Sequence, residues 1–139
     1  MSVDDGVATL EIELASLAQD LTAPGPHECV LCFVNRMLVQ FGCDSTLRWT
    51  RRWRSLEAPR ATRLEHRIGR DGAFCDCELF TNGWDVTVKV ERDPTTGEDH
   101  WPDDVHGCRG VRTGVTRPCS LWARRPPQDW PARRRIDWD

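Results

Sequence analysis

Seven cysteines in 139 residues constrain the fold of this chain more than any other feature of its sequence. Met1 is followed by Ser-Val-Asp-Asp, which has neither the basic start nor the apolar stretch of a secretion signal. We therefore expect a cytoplasmic protein, in a reducing compartment where disulfides rarely persist. The odd number of cysteines also argues against a fully paired disulfide framework. The cysteines predict metal binding or thiol chemistry.

Five of the cysteines lie in three places, at Cys29-x-x-Cys32, at Cys43 and at Cys75-x-Cys77. A Cys-x-x-Cys pair at a helix start can share one ion, because the free backbone N–H groups there stabilise thiolates. Two cysteines that are two apart on a strand point to the same face. Together these pairs predict the tetrahedral thiolate site of structural zinc. We expect one Zn²⁺ bound by four of these five cysteines.

The remaining cysteines, Cys108 and Cys119, leave three alternatives open. They could bind a second ion with His100 or His106, they could clip the C-terminal tail in place, or they could be free thiols.

Two other interpretations of the first group of cysteines also remain. Cys29 and Cys32 could form a redox pair, although a thioredoxin-like motif should follow a strand, and here a Pro-Gly-Pro linker precedes it. All of these cysteines could instead be buried as small apolar side chains. The histidines that could add a ligand to the first site are His27 and His66.

A catalytic metal site would need an open coordination position and a nearby general base. The candidates are Asp76, Glu78 and His66, but no motif supports them. Strand alternation would also turn Asp76 and Glu78 away from the thiolates. The catalytic residues are therefore unknown, and the sequence favours a role that is not enzymatic.

The first seventy residues show helical periodicity. Apolar residues at spacings of 3, 4, 3 and 4 predict an amphipathic helix that docks on the core or on a partner chain; they are Val7, Leu10, Leu14, Leu17 and Leu21. A Pro/Gly linker follows at 22–26, which closes an N-terminal segment of residues 1–26. Three more helical patterns cover Cys29–Phe41, the segment from Leu47 to Leu56, and the segment from Pro59 to Ile68.

The period then changes from 3.6 to 2, and residues 73–91 predict a β-hairpin with Asn82-Gly83 at its turn. A third strand at 111–115 is possible. The fold class is therefore α+β, with a small helical domain packed on a hairpin and held by a zinc site. We predict a metal-binding core at residues 27–92, then a polar loop and an irregular C-terminal arm rich in Arg, Trp and Pro at residues 93–139.

Two segments resemble the bacterial DUF2695 family, whose function is unknown. They are Phe41-Gly-Cys-Asp-Ser-Thr-Leu-Arg48, with its Cys-x-x-Thr-x-Arg pattern, and Gly72-Ala-Phe-Cys-Asp-Cys-Glu78. The resemblance covers residues 41–83, and the additional Cys-x-x-Cys upstream is similar to longer actinobacterial members. It supports a metal site and implies no activity.

The distribution of charge leaves the partner open. The net charge is −3, which gives the whole chain no general attraction to nucleic acid. Residues 48–70, however, carry eight Arg against two Glu. We expect a zinc-binding interaction or accessory module with an unknown protein partner, in which the first helix could also form a homo-oligomer. The alternatives are a nucleic-acid-binding regulator that uses the Arg-rich helix and a small zinc-dependent or thiol-based enzyme. No segment is apolar enough to cross a membrane.

Overall fold

The computed structural model describes residues 3–87, 91–100 and 107–125. Over these residues the fold is α+β, as predicted. The helices are α1 (Val3–Leu21), α2 (Val30–Phe41), α3 (Arg48–Glu57), α4 (Leu64–Arg70) and α5 (Asp76–Glu78), which continues into a π-helical turn at Leu79–Gly83. The strands are β1 (Trp84–Val86), β2 (Glu91–Arg92), β3 (Asp99–His100) and β4 (Trp122–Arg124). None of the described helices is long and apolar enough to span a membrane.

Helices α2 and α3 form the centre of the core. Phe33, Val34 and Met37 of α2 are fully buried, and α3 contributes the nearly fully buried Trp49 and Trp53. Each indole N–H finds a backbone acceptor, since Trp49 donates to the carbonyl of Gly42 at 3.1 Å and Trp53 to that of Glu28 at 3.0 Å. Their large apolar rings are therefore buried without leaving a polar atom unsatisfied.

Helix α1 does not dock on this core. Its predicted apolar stripe is present, but the five side chains that form it are between 48% and 65% exposed. The contacts that fix its C-terminal end come from Arg52 of α3, which donates to the carbonyls of Thr22 and Gln19. Burying one large apolar side chain stabilises a protein by about 1.5–3 kcal/mol, and the stripe of α1 forgoes this stabilisation while it is exposed to water.

The predicted hairpin over residues 73–91 is wrong in its first half, which is helical at α5 and the π-helical turn. The alternation of apolar and acidic residues there suggested a strand, but Ala73, Asp76 and Leu79 are the residues that are buried. Buried residues that are three positions apart are typical of a helix. In this helix the carboxylate of Asp76 is therefore buried in the core rather than exposed on the surface.

The strand after Gly83 exists, but its partner is a different segment. β1 pairs antiparallel with β4, with Val86 opposite Trp122, so the sheet joins residues 36 positions apart. Residues 111–115 do not form the predicted third strand. The segment 107–125 instead supplies β4 at Trp122–Arg124. β2 and β3 form a separate small hairpin. Residues 88–90 of the predicted hairpin lie outside the described residues, as do His106 and the C-terminal arm after residue 125.

Candidate metal centre

Four cysteine sulfurs meet where the start of α2 faces the segment 107–125. The Sγ atoms of Cys29, Cys32, Cys108 and Cys119 all lie within 4.8 Å of one another. Cys29 and Cys119 are buried, and Cys32 and Cys108 are partly buried. All four side chains pack in or against the hydrophobic core. The cluster thus joins two parts of the chain that are about eighty residues apart.

The first pair is positioned by the N-terminus of α2. Cys29 is the N-cap residue, with φ −72° and ψ 162°, and its Sγ accepts a hydrogen bond from the Cys32 N–H at 3.4 Å. A cap of this kind satisfies one of the free N–H groups in the first helical turn. The helix start therefore orients both thiols towards the same point.

The second pair is positioned by hydrogen bonds between its segment and the linker before α2. The N–H of Val111 donates to the carbonyl of His27 at 2.9 Å, and His27 Nδ1 lies 3.1 Å from the carbonyl of Val111. Gly110 has a φ of +86° and lies against His27, so this turn favours glycine. Arg109 ties the two halves of the segment together by donating to Ser120.

Hydrogen bonds converge on the sulfurs themselves. Cys108 Sγ accepts from the N–H of Cys29 at 3.2 Å and from that of Gly110 at 3.3 Å. Cys32 Sγ accepts from the indole N–H of Trp122 at 3.2 Å. Such donors stabilise thiolates and orient ligands around a metal ion. Their presence distinguishes the cluster from buried cysteines that act only as apolar side chains.

The thiols of this cluster differ in how readily they lose a proton. The hydrogen bond from Cys32 lowers the pKa of Cys29 to about 5. The same hydrogen bond, followed by burial, raises the pKa of Cys32, and burial also raises the pKa of Cys108. Of these three thiols, Cys29 is thus the one whose thiolate form is favoured, and Cys32 stabilises it by a hydrogen bond. Binding of a metal ion would displace the protons that Cys32 and Cys108 hold, because the ligand is the thiolate.

The donor set fits a metal ion. A tetrahedral site with Zn–S bonds of ~2.3 Å places its sulfurs about 3.8 Å apart. Here the sulfurs of Cys32 and Cys119 are 3.7 Å apart, and no pair in the cluster exceeds 4.8 Å. Small side-chain rotations would close the four thiols around an ion. The described cysteines are all free, so none of these sulfurs is committed to a disulfide.

The structure divides the five cysteines that were predicted as one ligand group. Cys29 and Cys32 join Cys108 and Cys119, whereas Cys43 lies near Cys75 and Cys77, whose thiols lower its pKa. Sequence reasoning treated Cys108 and Cys119 as a separate pair. A signal for their role was present in the glycines around Cys108, at Gly107 and Gly110, which both have positive φ.

The predicted histidine ligands lie elsewhere. His27 uses its Nδ1 against the backbone of Val111, His66 is exposed on α4, and His100 faces Asp93 at 3.6 Å. None of these three belongs to the four-cysteine cluster. His106, the other histidine considered beside Cys108 and Cys119, is outside the described residues.

The candidate catalytic carboxylates have structural partners. Asp76 is fully buried and caps α3, accepting from the N–H of Trp49 at 2.8 Å and of Thr50 at 3.1 Å. Glu78 accepts from Asn82, whose amide also donates to the carbonyl of Gly72. Both carboxylates therefore hold neighbouring segments in place.

The Arg-rich helix α3 uses much of its charge within the chain. Arg48 stacks on the Trp49 ring at 4.1 Å, and Arg54 pairs with Glu65 at 2.8 Å. Arg52 donates to the backbone at the end of α1. Guanidinium groups engaged in this way are less available to phosphates, which weakens the interpretation of α3 as a nucleic-acid-binding surface.

Comparison with known proteins identifies part of this architecture. No curated protein and no solved structure matches the chain. Residues 30–82 match the family described as "Protein of unknown function (DUF2695)". The match runs from the start of α2 through the π-helical turn, and so includes Cys32, Cys43, Cys75 and Cys77 but not Cys29, Cys108 or Cys119. The region from α2 to the π-helical turn thus matches the DUF2695 family. Of the four clustered cysteines it contains only Cys32, while Cys29 lies directly before it and Cys108 and Cys119 lie in the segment after it.

Proposed function

We propose that this protein is a zinc-stabilised interaction module, in which Zn²⁺ bound by Cys29, Cys32, Cys108 and Cys119 is structural. The observation that carries the proposal is the convergence of four thiols within 4.8 Å. Four sulfur ligands fill a tetrahedral site and leave no position for a substrate or a reactive water. Thiolate ligands of this kind favour zinc in a cell. A reducing cytoplasm, as the sequence led us to expect, would keep the thiols available.

The position of the cluster supports a structural role. It fastens the segment 107–125, and with it β4, onto the start of α2. Without it, the segment is held by the β1–β4 ladder, a few other hydrogen bonds, ion pairs and the packing of Val111, Leu121 and Trp122. An ion bound there would therefore contribute directly to the free energy of folding.

Cobalt substitution tests whether the site is closed. We expect the Cys77→Ser variant, which keeps the four-cysteine cluster intact, to bind Co²⁺ with the absorption bands of tetrahedral thiolate coordination. Added azide should leave these bands unchanged, because no ligand position is open. Bands that shift on addition of azide, or octahedral spectra, would contradict a closed structural site.

The interaction surface in this proposal is the exposed stripe of α1, and its partner is a basic amphipathic helix of another protein. The stripe repeats with the 3,4 spacing of a coiled-coil seam, and a strict seam of this kind packs against another helix. Contiguous apolar surface of this kind on a monomer marks a binding site.

The charge beside the seam selects the partner. Glu11 follows Leu10, and Glu13 and Asp20 precede Leu14 and Leu21, so acidic groups flank the stripe on both sides. The helix contains no Lys or Arg. Two copies of α1 would bring like charges together at the edges of the seam, whereas Lys or Arg at those edges of a partner would form ion pairs.

A peptide-binding experiment separates these partners. We expect the full chain to be monomeric and to bind a synthetic heptad helix whose Leu seam is flanked by Lys, with affinity that falls as salt is added. The Leu14→Asp variant should lose binding, while Ile12→Asp, on the opposite and equally exposed face, should retain it. A dimer that Leu14→Asp dissociates, or equal binding of a Glu-flanked peptide, would contradict the proposal.

A further inference from the structure

Three cysteines outside the four-cysteine cluster meet at a second place, where the end of α2 lies beside α5. Cys43 follows Gly42, whose φ of +80° ends the helix and turns the chain. Cys75 and Cys77 lie on either side of Asp76 at the start of α5. Cys43 and Cys77 are exposed and Cys75 is half-buried, so this group faces the solvent.

The buried side chain of Asp76 holds the two segments together. Its backbone N–H donates to the carbonyl of Thr46 at 3.0 Å. Its carboxylate accepts from the N–H groups of Trp49 and Thr50 and from the Thr50 hydroxyl at 2.7 Å. Because Asp76 is fixed to the loop after Cys43 and to the start of α3, the cysteines on either side of it are fixed beside Cys43.

The sulfur of Cys43 is the centre of this group. The backbone N–H groups of Cys77 and Ser45 and the thiols of Cys77 and Cys75 all act to lower its pKa. Burial acts to raise the pKa of Cys43, but these donors outweigh it and lower the pKa. The hydrogen bond to Cys43 raises the pKa of Cys77 to about 11. The three thiols are thus near enough to one another to affect each other's pKa.

We infer that Cys43, Cys75 and Cys77 form a second, exchangeable Zn²⁺ site, with solvent in the fourth coordination position. Three protein ligands and one open position distinguish it from a closed structural site. Among the described residues, only the four-cysteine cluster has three or more ligand atoms all within 4.8 Å of one another. The sulfurs of Cys43, Cys75 and Cys77 are therefore less tightly grouped, and they have to move closer together to bind an ion.

Exposure sets the expected behaviour of this site. The ion would be reached from solution without opening the core, and a competing thiol or chelator could attack at the open position. The ion in the four-cysteine cluster has no such access, since Cys29 is fully buried and Cys119 is 4% exposed. We therefore expect two classes of bound zinc that are released at different rates. The inference goes beyond the proposed structural role, which rests on the other four cysteines.

Zinc counting by native mass spectrometry, with a chromophoric chelator to follow release, tests the inference. We expect two Zn²⁺ per wild-type chain, one released rapidly and one slowly. The Cys77→Ser and Cys43→Ser variants should each bind one ion, released slowly, with an unchanged far-UV circular dichroism spectrum. Phe74→Ala, next to Cys75 and 70% exposed, is the matched control and should bind both.

The outcomes separate this inference from the proposed function. A single ion that persists in Cys77→Ser and Cys43→Ser would overturn the second site and leave the structural site standing. A single ion that these variants lose, while a folded Cys119→Ser variant keeps it, would overturn the structural site instead. Two ions that are both released slowly from wild type would contradict an exchangeable site.

Discussion

Replacing Cys119 with serine is expected to unfold most of the chain at ordinary temperatures. Cys119 is one of four thiols in the cluster and is nearly fully buried. Structural zinc binds small domains with about 10–16 kcal/mol, which is comparable with the ~5–15 kcal/mol net stability of a whole domain. Thermal denaturation followed by tryptophan fluorescence would measure the loss, since Trp49 and Trp53 lie in the core. Chelation of the wild-type protein should have the same effect.

The matched control for this substitution is Cys77→Ser. It makes the same chemical change at an exposed cysteine outside the four-cysteine cluster and removes only the exchangeable surface ion, so we expect a change in melting temperature of only a few degrees. If zinc-loaded Cys119→Ser melted at the same temperature as zinc-loaded Cys77→Ser, the four thiols would not be holding the fold together.

The Asp76→Ala substitution is expected to destabilise the folded protein by about 3 kcal/mol or more. Removing the carboxylate leaves the N–H groups of Trp49 and Thr50 and the Thr50 hydroxyl without their acceptor, in a place where Asp76 is fully buried. Each unsatisfied buried donor costs about 1–3 kcal/mol, and loss of a helix cap costs about 0.5–2 kcal/mol. Urea denaturation would give the difference in the free energy of unfolding.

The comparison variants for Asp76 are Asp76→Asn and Glu78→Ala. Asparagine keeps one acceptor oxygen for the start of α3, so we expect it to recover part of the lost stability. Glu78 is half-buried and contacts Asn82, and its removal should cost less than 1 kcal/mol. An Asp76→Ala variant as stable as Glu78→Ala would show that the carboxylate does not anchor α3.

Helical periodicity was sufficient to locate much of the fold. The spacing of apolar residues predicted α1, α2 and α3 close to their observed positions, because side chains three and four apart share a helix face. It did not show that α1 leaves its stripe exposed. A stripe has the same pattern whether it packs on its own core or on another chain, and only the tertiary structure distinguishes these cases.

The error at the hairpin has a specific cause. Residues 73–80 alternate in polarity, which is typical of a strand, but Asp76 is polar and buried. A pattern that assigns every carboxylate to the surface fails when the carboxylate caps a neighbouring helix. The contact between Asp76 and the start of α3 joins residues 26 and 27 positions apart, and no local spacing reveals it.

The arrangement of the cysteines was predictable only in part. The sequence identified Cys29-x-x-Cys32 as a pair of ligands at a helix start, and the structure places both in the four-cysteine cluster. It could not match them with Cys108 and Cys119, because the pairing depends on a backbone contact between His27 and Val111. The predicted partners, Cys75 and Cys77, are held beside Cys43 by Asp76 instead.

The central claim is that an ion in the four-cysteine cluster holds the two parts of the chain together. Its most direct test is elemental analysis and native mass spectrometry of freshly purified protein, with circular dichroism before and after chelation. The account predicts bound zinc in stoichiometric amount, and loss of helical signal when the slowly released ion is removed. A metal-free protein that keeps its helical signal with all seven thiols reduced would contradict it.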